Sequence, residues 1–237
     1  SADPSGLIYM HARYYDPQLR RFLSFDPNDV DPATALNFNR YFYAANSPYA
    51  KYDPSGRYTC SANQMDCIVI DAYVAGITEA MKNPSLSPDQ YVGLNAVANY
   101  LGSPWQWGAT ITSQSLQSGA PAAAAPDGTI SIDLTQLAHY DPLFYPGNPN
   151  KSSDQVDEAI GAGAIAHEAQ HELNFMSDGV PTSMAAEYDN EYSAYQTQAA
   201  VGAGLGVNIG LSTSDALDSG AQSSTSSWCD LPDSSCN

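Results

Sequence analysis

With 237 residues, 43% hydrophobic and 14% charged, the chain is long enough to bury a sizeable core. Eight Lys and Arg stand against 26 Asp and Glu, a net charge of −18 that argues against a nucleic-acid partner and against docking on an anionic membrane. No run approaches the roughly 18 apolar residues of a spanning helix, so no membrane insertion is expected, and no N-terminal signal peptide is present.

The first 57 residues read as short strands. Tyr and Phe recur in short runs (Tyr14-Tyr15, Tyr41-Phe42-Tyr43), broken by Asp16-Pro17, Asp26-Pro27 and Asp53-Pro54. Strands of this kind cannot bury a face alone and need repeats before them. From the residues alone, Asp26-Pro27 and Asp53-Pro54 are turn starters. The stretches Ser5-Gly6-Leu7-Ile8-Tyr9-Met10-His11-Ala12-Arg13-Tyr14-Tyr15-Asp16-Pro17, Arg21-Phe22-Leu23-Ser24-Phe25-Asp26-Pro27 and Tyr52-Asp53-Pro54-Ser55-Gly56 resemble the RHS-associated core that ends RHS-repeat shells. The resemblance implies that residues 1–57 are the tail of an upstream RHS shell. It further implies a toxin cargo beyond them and a cognate immunity protein. It also implies self-cleavage near Arg57 and Tyr58, with Asp26 and Asp53 as an aspartyl-protease-like pair. Proximity would split the two pKa values into one acid and one base.

Charge marks a boundary at the same place. Residues 1–57 balance six basic against six acidic groups, whereas residues 58–237 hold only Lys82 and Lys151 against twenty acids. Two domains are therefore expected, 1–57 and 58–237. Cys60 and Cys67 open the second domain and Cys229 and Cys236 close it. Local disulfides are favoured over cross-pairing. A four-thiolate zinc site is disfavoured because the gaps are longer than such sites use. Disulfides place the working protein in an oxidising compartment, the periplasm or the cell exterior.

Ile68 to Lys82 is expected to be helical. A second helix starts with Ser87 as cap and Pro88 at its first position and runs to Leu101, where Gly102 stops it. Residues 112–128, rich in Ser, Gly, Ala and Pro, read as a loop or flap. Gly128 to Leu134 alternates polar and apolar residues and reads as a strand, either structural or the edge of a peptide-binding sheet. The tail from Leu211, rich in Ser and Asp, is expected to be loosely ordered.

His167-Glu168-Ala169-Gln170-His171 reads H-E-x-x-H. On a helix, positions i and i+4 share a face, so both imidazoles can aim at one ion, with Glu168 placed to take a proton from water. Two of the four histidines fall in this pattern, against the alternative of a solvated face. Ser152-Ser153-Asp154 offers an N-cap, Gly161 to Ala166 is small and apolar, and Gly179 and Pro181 end the segment. A buried helix of roughly 20 residues is expected, longer than most. The extended form H-E-x-x-H-x-x-G-x-x-H fails at Asn174 and Ser177. Pro181 to Tyr195 reads as a following helix, capped by Thr182 or Ser183, on which Glu187 and Glu191 lie one turn apart.

Asn190-Glu191-Tyr192-Ser193-Ala194 after H-E-x-x-H resembles the thermolysin-like zinc peptidases, the gluzincins. That resemblance implies Glu191 as third ligand. Glu187 is then a supporting or surface acid, and by its composition a solvated helix charge. A donor for the reacting oxygen would come from His139, Tyr140, Tyr145 or Tyr195, and the residues do not choose among them.

The expected fold is α+β: a mostly helical zincin-like domain with a small sheet, preceded by short β-strands. The expected function is a secreted effector toxin, delivered by a bacterial secretion system, whose second domain is a zinc metallopeptidase. One Zn2+ would be held by His167, His171 and Glu191, with Glu168 as general base and a protein or peptide as substrate. Two alternatives stand beside it: a zinc amidase acting on peptidoglycan, and a binding or pore-forming toxin in which the motif is incidental.

Overall fold

A computed structural model describes residues 6–10, 13–24, 41, 58–102, 109–117, 119–137 and 147–229. The fold is α+β. Near the start, β1 (Ile8–Met10), β2 (Arg13–Asp16) and β3 (Arg21–Phe22) form an antiparallel meander. Its sequence cues act as expected. Tyr9 pairs with Tyr14 across the strands, their rings 4.9 Å apart. The Asp16 carboxylate accepts from the Gln18 and Leu19 N–H groups at 2.8 and 3.1 Å and so makes the turn.

The second sheet has the order β4-β5-β7-β6, from Thr59–Cys60, Thr110–Ser113, Thr129–Ile132 and Ala122–Ala125 respectively. The pairs β4-β5 and β5-β7 are parallel, whereas β6 runs antiparallel along β7. Two expectations change here. The 112–128 stretch is not one loop, because it carries the end of β5 and all of β6. Ala122–Ala125 has neither alternation nor β-branching to signal a strand; its pairing with β7 makes it one. The strand expected from alternation, β7, is not an edge, because β6 lies outside it.

Helix α1 (Gln64–Ala80) starts earlier than expected because Asn63 caps it, accepting from Asp66 N–H at 3.0 Å. Helix α2 (Pro88–Gly102) is closed at its start by a reciprocal pair. Ser87 Oγ accepts from Gln90 N–H, and Gln90 Oε1 accepts from Ser87 N–H. Cys60 and Cys67 form a disulfide that ties β4 to α1, one of the two local pairs expected. Cys236 lies outside the described residues.

Helix α4 (Ser153–Asp178) is the axis of the domain, and α1, α2, β6, β7 and α5 (Met184–Leu205) all pack on it. Ser152 and Gln155 form its capping box. Everything from Ala159 to Ala169 is buried. The small residues are what allow this. A Cβ at Gly161 would fall 2.4 Å from the Tyr73 ring, so only glycine lets α1 approach so closely. Within the described part of the tail the chain is not loose: α6 (Ser214–Cys229) packs along α5. Among the described residues, no helix is long and apolar enough to cross a membrane.

Asp133 precedes the short helix α3 (Leu134–Leu137) and collects four bonds, from Leu116, Thr135 and Gln136 N–H and from the Thr135 hydroxyl. The Thr135 hydroxyl, then the Leu116 N–H, hold its pKa down at about 2, against an ordinary 3.8. A depressed carboxyl contributes stability that is complete above its ordinary value and lost as pH falls through the folded value. Asp133→Asn is expected to flatten the dependence of stability on pH between about 4 and 2. Urea midpoints across that range check it, and an unchanged slope would refute it.

Candidate metal centre

Helical spacing and burial bring the two histidines together. His167 and His171 lie one turn apart on the core face of α4, with Nε2 atoms 3.0 Å from each other. Ser183 starts α5 by accepting from Ala186 N–H, and α5 then packs along α4. This places Glu191 Oε2 3.3 Å from His167 Nε2 and Glu191 Oε1 3.7 Å from His171 Nε2. All three side chains are nearly buried.

Electrostatics says what these groups are. Burial pushes both imidazoles down to about 4, with His167 adding to the effect on His171. They are therefore neutral near pH 7, and their contacts with Glu191 are not ion pairs. Burial raises Glu191, opposed by His171 and by a hydrogen bond from Ser224. Its Oε2 is buried without a hydrogen-bond partner. Two neutral imidazole nitrogens and a carboxylate are the donor set of a divalent transition metal. Ligand atoms about 2.0–2.1 Å from a tetrahedral zinc lie roughly 3.3 Å apart; the two Nε2 atoms are 3.0 Å apart, and each has one or the other Glu191 oxygen at 3.3 or 3.7 Å. The residues fit the ion.

Glu168 is buried beside this cluster. Burial, then Glu191, raises its carboxyl to about 8, while a hydrogen bond from the Ala124 N–H of β6 opposes the shift. The poly-alanine strand thus reaches the site through its backbone.

Glu187, expected to be a solvated charge, is 7% exposed and accepts from Asn190 Nδ2 at 3.3 Å. It is not a ligand, and the packing of α5 on α4 turns it inward. Asn174 joins the helices, donating to Asn190 Oδ1 and Ser193 Oγ, each at 2.8 Å. Glu172, not singled out by sequence, is a buried carboxyl raised to about 7 by burial and bonded to Tyr100. Tyr195 packs edge-on to His167, at 4.6 Å between ring centroids, but its hydroxyl lies against Ser224 Oγ. His139, Tyr140 and Tyr145, like Asp26 and Asp53, lie outside the described residues.

The arrangement brings two histidines and one carboxylate together with a second buried carboxyl alongside, a group of side chains that could hold a metal ion. The chain matches no protein-family model and no solved structure. It is 36% identical over 73 residues to the tRNA(Glu)-specific nuclease WapA of Bacillus subtilis subsp. natto, covering 31% of this chain and 3% of that protein. It is 39% identical over 56 residues to the tRNA nuclease WapA of Bacillus subtilis, covering 24% and 2%. The chain thus corresponds to a small fraction of the length of these relatives.

These likenesses correct three expectations. The relatives are named as nucleases, so the recognition of a gluzincin-like peptidase toxin and the zinc metallopeptidase activity do not stand. A protein or peptide substrate with nucleic acid excluded falls with them. The physical reasons are two. H-E-x-x-H with a distant glutamate specifies a cation and a base, not the bond they attack, since activated water adds to carbonyl and phosphoryl centres alike. Net charge is also a poor exclusion, because salt screens charge within about 10 Å and recognition is local. The coarser expectation, an effector of the polymorphic-toxin kind, is supported by the same relatives.

Proposed function

We propose that this polymorphic-toxin effector carries, in residues 58–237, a metal-dependent hydrolase whose cation is held by His167, His171 and Glu191. The carrying observation is the convergence of three nearly buried side chains, one donor atom of each lying within 4.8 Å of the others, with both imidazoles uncharged. When bound, Zn2+ would supply a Lewis acid and lower the pKa of water at the site. Glu168 acts as general base, accepting the proton of the attacking water and returning it to the leaving group. The Ala124 N–H orients its carboxylate. The Cys60–Cys67 disulfide supports a secreted protein that passes through an oxidising compartment.

The first substrate to assay is tRNA, the substrate named for the relatives. Metal is counted on the purified full chain and on Glu191→Ala, and tRNA cleavage is followed with and without chelator. One equivalent of metal in the wild type, its loss in the variant and chelator-sensitive cleavage are expected. Metal-free wild type would end the reading. Intact tRNA with metal present would remove RNA as substrate and leave the centre in place.

A further inference from the structure

We infer that Asn174 is a positioning residue for the metal centre, setting the register of α5 on α4 so that Glu191 arrives at the two histidines. The inference rests on the metal reading above. Asn174 lies one turn beyond His171 and so shares its side of α4. Its Nδ2 donates to Asn190 Oδ1 and to Ser193 Oγ, each at 2.8 Å. Asn190 comes just before Glu191 in the chain and Ser193 soon after it, so the two bonds bracket the third ligand.

A relay of one polarity orients these groups. Thr197 Oγ1 donates to Gln170 Oε1 at 3.1 Å, and Gln170 Nε2 donates to Asn174 Oδ1 at 2.8 Å. That leaves the Asn174 Nδ2 to face α5. Asn190 Nδ2 carries the chain on to the Glu187 carboxylate at 3.3 Å, which as an ionised group only accepts. Apolar shape does not supply this register. From Glu187 to Thr197, the residues that α5 buries are Glu187, Asn190, Ala194 and Thr197, and the apolar one is an alanine. A smooth seam tolerates sliding, whereas a paired Asn between helices specifies one register. The tolerance is narrow. A slip of one residue moves a helix by about 1.5 Å, and metal–ligand distances hold to about ±0.2 Å.

The test is the Zn2+ affinity of the full chain by competition with a chromophoric chelator, beside the visible spectrum of the Co2+-loaded protein, which reports coordination geometry. Asn174→Leu, which keeps the bulk and removes the donor, is expected to weaken Zn2+ binding roughly tenfold or more and to alter the Co2+ spectrum. Ser193→Ala removes one of the two acceptors and should weaken binding about fivefold, the worth of one hydrogen bond. Ser193→Thr, which keeps the hydroxyl, should restore it. Ser152→Ala unties the cap at the far end of α4 and should lower the unfolding temperature while Zn2+ binds as in wild type. Wild-type affinity and spectrum in Asn174→Leu, or in Ser193→Ala should Asn174→Leu not fold, would overturn the role of Asn174 and leave the centre intact. An equal loss of affinity in Ser152→Ala would overturn it too, by marking the loss as general destabilisation. Wild type that binds no Zn2+ would overturn the metal reading and this inference together.

Discussion

Glu168→Gln is expected to keep its metal and lose about 10²–10⁴-fold in hydrolytic rate, the usual contribution of a general base. The substitution is nearly isosteric. The amide oxygen can still accept from the Ala124 N–H that holds Glu168, so β6 should stay in place. What disappears is the basic oxygen. Without a cation, burial and Glu191 raise this carboxyl to about 8. Beside a bound dication it returns toward the ionised form that a base requires. Rate and metal content measured on the same preparation separate the outcomes. A variant that retains both metal and rate would remove Glu168 from the reaction.

Chelation should lower thermal stability, and His171→Ala should abolish that difference. The zinc-free site holds two uncharged imidazoles with nitrogens 3.0 Å apart and a buried carboxylate oxygen lacking a partner. An ion that binds only the folded state at a thousand times its Kd stabilises by about 4.1 kcal/mol. For a chain of this size that is roughly 8–16 °C in Tm, at about 2–4 °C per kcal/mol. His171→Ala removes one of three donors, so its Tm should be insensitive to chelator and its metal content and rate should both be lost. A wild-type Tm unmoved by chelator and by added Zn2+ would contradict the centre.

The parts of the site read directly from sequence are those that local geometry decides. His167 and His171 converge because any helix sets i and i+4 on one face, and the Ser152 cap with a small apolar run announced that helix. Glu191 lies on another helix. The resemblance placed it, but its 3.3 Å approach to His167 depends on how α5 packs on α4. The same packing buried Glu187, whose composition reads as surface. Strand β6 escaped notice because alanines carry no strand signal and take their conformation from β7. Helix α6 escaped because Ser and Asp read as loose chain, while Tyr188 and Tyr195 of α5 supply the contacts that order it. The substrate class escaped for a chemical reason, since an H-E-x-x-H pattern speaks of an ion and a base and is silent on the electrophile.

The amino-acid sequence by itself therefore determined that His167 and His171 share one helix face with Glu168 beside them, together with the α4 scaffold and the α+β class, all through short-range periodicity and capping. Tertiary structure alone decided that Glu191 meets the histidines, that the alanine strand reaches Glu168 and that α6 packs along α5. These depend on inter-helix packing and strand pairing between residues far apart in the chain, which no local pattern encodes.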